Sequence, residues 1–312
     1  MINYISKNNF FLFSLLLLLF PISLISGPLI PELIMNLMSV IFVIWLIKNK
    51  DIKILHTDFF YYYFFFVIYI TLNAYFSSYS SEIFLKNLFY FRFFIFIFAV
   101  YYIFLKNYKI INLLNYALIF MFSILILDGF AEFYFGKNLL GNSSINRPDR
   151  IASLFGDKLV LGSFLAKYFF LILGLFFFVD QKNKIFKYFS VVIIFLAFIL
   201  IFLTGERTAF ISTSIGIIIF FICSNFSFYR KIFTSFFIIF VISFILINNH
   251  TLYDRHIKQN INQVNFNIFD NEENFFNRFA YYKTTYQTAY NAFSKKKLFG
   301  YGPKSFRYFC SE

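Results

Sequence analysis

Arginine and lysine residues occur at several places in this chain where apolar segments ordinarily exclude charge. Arg92 and Lys167 fall inside long apolar runs, and Arg207 follows Thr-Gly-Glu at a short turn between two such runs. An arginine guanidinium can hold two phosphate oxygens at once and keeps its charge. The pattern favours a site that binds a polyanion, most simply a lipid phosphate or pyrophosphate. Arg207 is the predicted charge-stabilising residue, and its neighbours Gly205 and Glu206 allow close backbone approach and orient its side chain.

Two further segments concentrate polar residues. The first, 147–158, contains Arg150 and continues into an apolar run as far as Lys167, which we expect to face the bundle interior or its outer cavity. In the second segment, aromatic residues and an alanine recur at spacings of three and four. This spacing indicates one face of an amphipathic helix at a membrane surface. Its stripe comprises Phe275, Phe279, Tyr282, Tyr286, Ala289 and Phe293, with Arg278 at the border.

Each of these charges also has a simpler explanation. Arg92 and Lys167 can extend to the membrane surface or pair with a carboxylate such as Asp128. Glu206 and Arg207 can form an ion pair that only closes the hairpin. An arginine at the border of an interfacial helix can contact lipid headgroups. The convergence of several cations on one membrane face is the observation that favours a binding site.

The elements that must position these residues are membrane-spanning helices. Of the 312 residues, 60% are apolar and 14% are charged, whereas a soluble domain has roughly half and a quarter. Apolar runs long enough to cross a bilayer lie near residues 10–26, 29–47, 59–76, 88–105, 111–130, 159–179, 188–204, 208–224 and 232–248. We therefore predict an all-α, polytopic transmembrane helical bundle of about nine spans.

Orientation follows from the charges of the short loops. With a cytoplasmic N-terminus, every inside loop is basic, as the positive-inside rule requires. These loops contain Lys48, Lys50, Lys53, Lys106, Lys109, Lys182, Lys184, Lys187, Arg230 and Lys231. The transmembrane domain is then 1–248, and residues 249–312 form a large outside loop that contains the amphipathic helix. Arg150 and Arg207 lie on the outside as well, where positive charge works against orientation.

Composition and motifs exclude several classes of function. The formal net charge is +13, but most of it lies in loops between apolar runs, and no nucleic-acid-binding motif is visible. The sequence contains no Walker phosphate-binding loop, so an ATP-driven mechanism is not expected. No Cys/His cluster has the spacing of a metal site. We expect no metal, no cofactor and no nucleic-acid partner.

Together these segments resemble the O-antigen ligase and O-antigen polymerase superfamily of bacterial membrane glycan transferases. The matching pieces are Arg150 through Gly162 with its Phe-Gly-Asp, Thr204-Gly-Glu-Arg207, Arg278 followed by Leu298-Phe-Gly-Tyr-Gly-Pro303, and Asp128 with Glu132 at the end of the fifth span. The resemblance covers residues 120–307 approximately. The earlier spans agree with the family only in number and hydropathy.

The resemblance implies an enzyme of the bacterial inner membrane that works on its periplasmic face without a metal. Such enzymes take a glycan from an undecaprenyl pyrophosphate lipid and pass it to lipid A core, to another growing chain, or sometimes to a protein. A leaving pyrophosphate gains charge in the transition state, where preorganised cations stabilise it most. The implied catalytic residues are Arg207 and Arg278. The implied substrate-binding residues are Arg150, Asp157, Lys167, Glu206, Gly300 and Gly302.

The sequence departs from the family pattern in one respect. The resemblance implies a histidine in a His-x-Asn-like segment soon after the Gly-x-Gly-Pro turn, followed by further spans, and a general base must take the acceptor proton. The sequence reaches Glu312 before such a segment, so we expect a fragment whose periplasmic loop is incomplete at its C-terminal end. Ligase and polymerase both stay open.

We therefore expect a glycan transferase of lipopolysaccharide or surface polysaccharide biosynthesis. The alternative is a transporter or flippase of lipid-linked glycans, which would need cations along an inner cavity rather than at one face. A third possibility is an inactive remnant with a structural role.

Overall fold

The computed structural model describes residues 7–49, 57–77, 79–142, 150–156, 158–178, 184–224, 226–258, 280–297, 300–302, 305 and 308. All secondary structure in these ranges is helical. The α-helices are α1 (Lys7–Ser23), α2 (Leu29–Asn49), α3 (Asp58–Tyr75), α4 (Ser80–Leu88), α5 (Phe91–Lys106), α6 (Lys109–Phe135), α7 (Leu161–Phe178), α8 (Lys184–Leu203), α9 (Arg207–Cys223), α10 (Phe228–Asn248), α11 (His250–Tyr253) and α12 (Ala280–Lys295). A π-helical turn over Asp254–Lys258 continues α11, and Leu24–Ser26 and Ser153–Phe155 form short 3₁₀ turns.

Several of these helices suit a membrane. Within the described ranges, five are long and apolar enough to cross one: Leu29–Lys48, Ile83–Lys106, Lys109–Phe135, Lys184–Leu203 and Phe228–Asn248. Phe11–Ser26, Leu161–Phe177 and Arg207–Cys223 are shorter apolar helices. The all-helical, multi-pass character of the prediction is confirmed, but the count of about nine spans is not. The 17 residues of α9 reach about 26 Å at 1.5 Å per residue, less than the ~30 Å hydrocarbon core.

The chain divides into two compact units. The first comprises residues 1–17, 31–108 and 265–312, and the second comprises 18–30 and 109–264. The division into a transmembrane domain and an outside loop at residue 248 stays a prediction.

Aromatic side chains form much of the core of the first unit. Phe60 of α3 packs against Phe94 and Phe98 of α5, with ring centroids 5.0 and 5.4 Å apart. Trp45 of α2 lies 4.1 Å from the ring of Tyr102. Such tilted and edge-on pairs contribute about 0.5–1.5 kcal/mol each beyond the burial of their area. These contacts join α2, α3 and α5.

The charge of Arg92 on α5 has a structural explanation in the same unit. Its guanidinium pairs with the carboxylate of Glu32 on α2, with Nη2 3.1 Å from Oε1. The simpler explanation of Arg92, an ion pair, is therefore the one observed. Its partner is Glu32 rather than the suggested Asp128, because α2 and α5 are neighbours in this unit.

Helices α6, α7, α8 and α9 share the core of the second unit. Leu125, Leu165, Leu200 and Ala209 supply one buried residue from each helix. Leu252 of α11 is buried in the same cluster. The polar residues described below are therefore held at the ends of closely packed helices.

The predicted amphipathic helix is described in part. Helix α12 covers the stripe positions from Tyr282 to Phe293, and Tyr286 and Phe293 are exposed along it. Phe275, Arg278 and Phe279 lie outside the described residues. The structure thus contains a helix with exposed aromatic rings where the spacing predicts one, and its position on a membrane surface stays a prediction.

Candidate functional site

The Thr-Gly-Glu sequence forms a buried turn between α8 and α9. Thr204, Gly205 and Glu206 are all buried. The hydroxyl of Thr204 donates to the carbonyl of Ile201 at 2.7 Å, which closes the end of α8. Gly205 has φ +67°, a left-handed conformation that costs a residue with a Cβ roughly 1–2 kcal/mol. The turn therefore requires glycine at this position.

The carboxylate of Glu206 binds the first turn of α7. Its Oε1 accepts from the backbone N–H of Gly162 at 2.9 Å, and its Oε2 accepts from the backbone N–H of Ser163 at 2.9 Å and from the Ser163 hydroxyl. A carboxylate suits a helix N-terminus because the N–H groups there have no partners within the helix. A Cβ at Gly162 would overlap the Thr204 hydroxyl, so glycine allows this close approach.

Arg150 forms an ion pair with Glu206. Its Nη2 lies 3.7 Å from Glu206 Oε1 and 3.4 Å from the carbonyl oxygen of Leu159. The Arg150 side chain is 16% exposed and that of Glu206 is 7% exposed. The segment before α7 that contains Arg150 and the Thr204–Arg207 turn are thus in contact. That they form one substrate site stays a prediction.

Two carboxylates of α6 fix the backbone close to Arg150. Asp128 accepts from the Ser153 hydroxyl at 2.6 Å and from the Leu139 N–H at 2.8 Å. Glu132 accepts from the N–H groups of Ala152 and Ser153 at 3.0 and 2.5 Å. Ser153 has φ +53°, a strained conformation that surrounding bonds must hold. Asp128 and Glu132 therefore position the loop that contains Arg150.

Arg207 begins α9 directly after the turn and is partly buried. Arg255, from the π-helical turn, approaches the same place, and its Nε–H donates to the carbonyl of Gly205 at 2.7 Å. The imidazole of the next residue, His256, stacks on the ring of Phe202 at 4.5 Å and lies 3.1 Å from the Phe202 carbonyl oxygen.

The electrostatics of His256 report on this environment. Burial lowers its pKa below the usual value, the hydrogen bond with the Phe202 carbonyl opposes that change, and the positive charges of Arg255 and Arg207 lower the pKa further. Burial, and to a smaller extent the two nearby guanidinium charges, therefore favour the neutral form of the imidazole.

Sequence reasoning did not single out Arg255 and His256, which the structure places beside the turn. A usable signal was present, since Arg255 lies in the tail assigned to the outside, where positive charge works against orientation. The same criterion that drew attention to Arg150 and Arg207 applies to Arg255.

Three predicted residues are not placed in this cluster. Lys167 is exposed on α7, and its orientation toward a cavity of the bundle stays a prediction. Asp157 and Arg278 lie outside the described residues. Their roles also stay predictions.

Gly300 and Gly302 belong to the first unit. The carbonyl of Tyr301, between them, accepts from the Ser77 hydroxyl at 2.7 Å. Gly302 has φ +90°, and a Cβ there would lie 2.9 Å from Asn73 Oδ1, whereas a Cβ on Gly300, at φ +63°, would meet nothing within 4 Å. A cavity of about 720 Å³ opens beside Gly300, lined by Tyr69, Leu72, Asn73, Phe76, Ser77, Lys296 and Lys297. Gly302 therefore allows the chain to pack closely against Asn73 of α3, which we call its docking role. Substrate binding by either glycine stays a prediction.

These two glycines give a matched pair of substitutions. Gly300→Ala is expected to cost about 1–2 kcal/mol, because only the left-handed backbone is strained. Gly302→Ala adds steric overlap with Asn73, which should raise the loss by about 1–3 kcal/mol. Denaturant titration of the detergent-solubilised protein measures both. Equal losses for the two variants would contradict the docking role.

No metal cluster is present among the described residues: no group of three or more His, Cys, Asp or Glu side chains lies close enough to hold an ion. The groups near the turn that could bind a ligand are the guanidinium groups of Arg150, Arg207 and Arg255. Such groups bind phosphate oxygens by charge-assisted hydrogen bonds.

Comparison with known proteins gives one family match. Residues 191–311 match the family model described as O-Antigen ligase, a range that includes the buried turn, Arg255 and the glycine pair. No curated protein and no solved structure matches the chain.

Proposed function

We propose that the chain is a membrane glycan transferase that uses an undecaprenyl-pyrophosphate-linked donor. The match to the O-Antigen ligase family model supports a place in the O-antigen ligase and polymerase superfamily. The acceptor is a hydroxyl of lipid A core or of a second glycan chain. The reaction takes place on the periplasmic face of the bacterial inner membrane, in the biosynthesis of lipopolysaccharide or another surface polysaccharide.

The transfer reaction requires cations that stabilise the leaving pyrophosphate, and the buried turn lies beside such cations. The acceptor oxygen forms a bond to the anomeric carbon of the donor sugar, and the bond from that carbon to the pyrophosphate oxygen breaks. A base accepts the proton of the acceptor hydroxyl. Undecaprenyl pyrophosphate leaves with the bonding electron pair, so negative charge grows on its oxygens. Preorganised cations lower the barrier most at this point.

The observation that carries the proposal is the pairing of Arg150 with the turn that ends in Arg207. Glu206 is bonded to the N-terminus of α7 and lies beside the Arg150 guanidinium. The guanidinium of Arg150 is thus held beside the turn before any ligand binds, and Arg207, more than fifty residues away in sequence, begins α9 directly after that turn. Fixed donors do not have to reorganise during the reaction, which is the source of their effect.

The alternative function, transport or flipping of lipid-linked glycans, requires cations distributed along a path through the bundle. The described cations of the second unit that contact the turn, Arg150 and Arg255, gather instead at the junction of helix ends. This arrangement favours a localised site for transfer.

Reconstitution separates the two functions. The purified protein in liposomes is supplied with an undecaprenyl-pyrophosphate-linked oligosaccharide and either lipid A core or a second portion of the same donor. Formation of a covalent product that persists in EDTA is the expected result. Movement of the donor between leaflets without a new glycosidic bond would instead support a flippase.

The periplasmic orientation makes a separate prediction. Helix α10 has 21 residues, about 31 Å at 1.5 Å per residue, so its ends should lie on opposite sides of the membrane. With Cys223 and Cys310 replaced by serine, Thr251→Cys is expected to react with an impermeant maleimide in intact spheroplasts. Tyr229→Cys should react only after permeabilisation. The reverse pattern would contradict the proposed orientation.

A further inference from the structure

The cavity of about 720 Å³ in the first unit is formed by the end of α3 and by the segment that follows α12. Its volume falls in the range of about 300–1,000 Å³ that is usual for small-molecule sites. The α3 side contributes Tyr69, Leu72 and Phe76, whose side chains are all exposed. The other segment contributes the adjacent cations Lys296 and Lys297. One part of the cavity is therefore apolar and another part is cationic.

The segment with the two lysines is held against α3 by short contacts. The Ser77 hydroxyl donates to the carbonyl of Tyr301 at 2.7 Å. Gly302 packs so closely that a Cβ there would lie 2.9 Å from Asn73 Oδ1. The ammonium of Lys296 lies 4.9 Å from the centre of the Tyr301 ring. These contacts fix the cationic part of the cavity beside the apolar part.

The charge that lines the cavity has one sign. Among the described lining residues there is no carboxylate, and Lys297 is exposed. Both lysines also line a second cavity of about 320 Å³, together with Ala292, Phe293 and Ser305, and no carboxylate is found among its described lining residues either. A ligand that combines an anionic group with an apolar chain is the complement of two cations beside an apolar wall.

The residues around the cavity are those expected at a membrane–water interface. The ring of Tyr79 lies 5.9 Å from that of Tyr301 and 6.1 Å from that of Tyr308. The ammonium of Lys86 donates to the Tyr308 hydroxyl at 2.6 Å. Tyrosine and lysine are both favoured at the level of lipid headgroups. Helix α3, the third predicted span, ends here at Tyr75, so a lipid at this position can extend its chain along α3.

We propose that this cavity binds an anionic phospholipid of the bilayer, with the phosphate at Lys296 and Lys297 and an acyl chain against Leu72 and Phe76. Lysines near a membrane surface attract anionic headgroups, and the apolar side chains of α3 favour an acyl chain over water. The inference goes beyond the transfer reaction and does not depend on it. It requires both charge and chain in one ligand, and each requirement can be tested separately.

The first test addresses the charge. The delipidated protein in neutral detergent is titrated with phosphatidylglycerol and with phosphatidylcholine of the same acyl chains, and native mass spectrometry measures occupancy. Phosphatidylglycerol should bind more tightly. Lys297→Gln is expected to weaken its binding about 5-fold, which corresponds to the ~1 kcal/mol that a lysine contributes to attraction of anionic lipid. Binding of phosphatidylcholine should stay the same.

The matched control for Lys297→Gln is Lys295→Gln. Lys295 is exposed at the last position of α12 and is not among the residues that line either cavity. It should bind phosphatidylglycerol as the unmodified protein does. Nonspecific attraction to a basic surface predicts equal losses at the two lysines, and equal losses would overturn the proposal. Equal affinity of the unmodified protein for the two lipids would overturn it as well.

The second test addresses the chain. Leu72→Gln is expected to weaken binding of phosphatidylglycerol about 3- to 10-fold, because the apolar contact with the acyl chain is lost. Leu85→Gln is the control, since Leu85 is exposed on α4 but does not line either cavity. Both leucines are exposed, so the melting temperatures should stay close to that of the unmodified protein. Unchanged affinity in Leu72→Gln would contradict an acyl chain on α3.

The third test needs no substitution and distinguishes other occupants. Inorganic phosphate carries the charge without a chain and is expected not to displace phosphatidylglycerol. Displacement by inorganic phosphate at the concentrations at which the lipid binds would assign the cavity to a free anion instead. Preferential binding of undecaprenyl phosphate, with the same dependence on Lys297, would assign it to a prenyl lipid. Either result would reject a phospholipid site, whether or not the protein forms a glycan product.

Discussion

Replacement of Arg207 by lysine is expected to lower the rate of glycan transfer by about 100- to 1,000-fold, the usual cost of losing one preorganised donor from a site that stabilises developing charge. Lysine keeps the positive charge but presents a compact ammonium in place of a planar fork. It therefore cannot hold two phosphate oxygens in the geometry of a guanidinium. The measurement is product formation from the lipid-linked donor under single-turnover conditions.

Two comparisons make this result specific. Arg230→Lys changes the same side chain at an exposed position near the start of α10, and transfer should be unaffected. The melting temperature of Arg207→Lys should stay close to that of the unmodified protein, because Arg207 is partly exposed at the first position of α9. Near-normal turnover in Arg207→Lys would reject the role assigned to Arg207. Arg150 and Arg278 would then be the candidates for that role.

Glu206→Ala is expected to destabilise the fold by about 3–5 kcal/mol, the usual cost of breaking a buried ion pair by removing one partner. The substitution leaves the Gly162 and Ser163 N–H groups without their carboxylate acceptor and removes the countercharge from Arg150. Unfilled buried donors add to the loss because water does not replace the missing partner. Thermal or denaturant unfolding of the detergent-solubilised protein measures the effect.

The matched control for Glu206→Ala is Asp254→Ala. Asp254 forms a shorter ion pair, 2.6 Å against 3.7 Å, but its side chain is 50% exposed whereas that of Glu206 is 7% exposed. Pairs exposed to water contribute about 0–1 kcal/mol, so Asp254→Ala should unfold almost like the unmodified protein. A loss at Glu206 no larger than that at Asp254 would show that Glu206 does not hold α7 to the turn.

The same geometry explains why activity and stability should separate between the two predictions. Glu206 faces the helix N-terminus of α7 and the guanidinium of Arg150, so its contribution is made in the folded protein before substrate arrives. Arg207 follows it by one residue, and its proposed partner is the ligand. Loss of Glu206 should therefore lower both stability and transfer, and loss of the Arg207 guanidinium should lower transfer alone.

Composition and hydropathy were sufficient to predict a helical membrane protein, and the charges between the apolar runs singled out several residues at the turn as candidates. Hydropathy and helix length are properties of contiguous segments, so apolar runs could be recognised without knowledge of their neighbours. Arginines in the segments predicted to lie outside are likewise visible in sequence, because positive charge there works against orientation. This criterion singled out Arg150 and Arg207 as candidates. Span count was the weaker inference, because it depends on where polar turns shorten helices such as α9.

The contacts between distant side chains could not be predicted from sequence and became visible in the folded chain. Glu206 binds backbone groups of Gly162 and Ser163 that are 44 and 43 residues away, and Arg255 binds a carbonyl 50 residues away. No periodicity encodes such pairs, since they arise where the ends of separate helices pack together. The carboxylate of Glu206, for which the sequence suggests a pair with the adjacent Arg207, contacts the N-terminus of α7 and the guanidinium of Arg150. The N–H groups of a first helical turn attract a carboxylate because they have no partners within the helix.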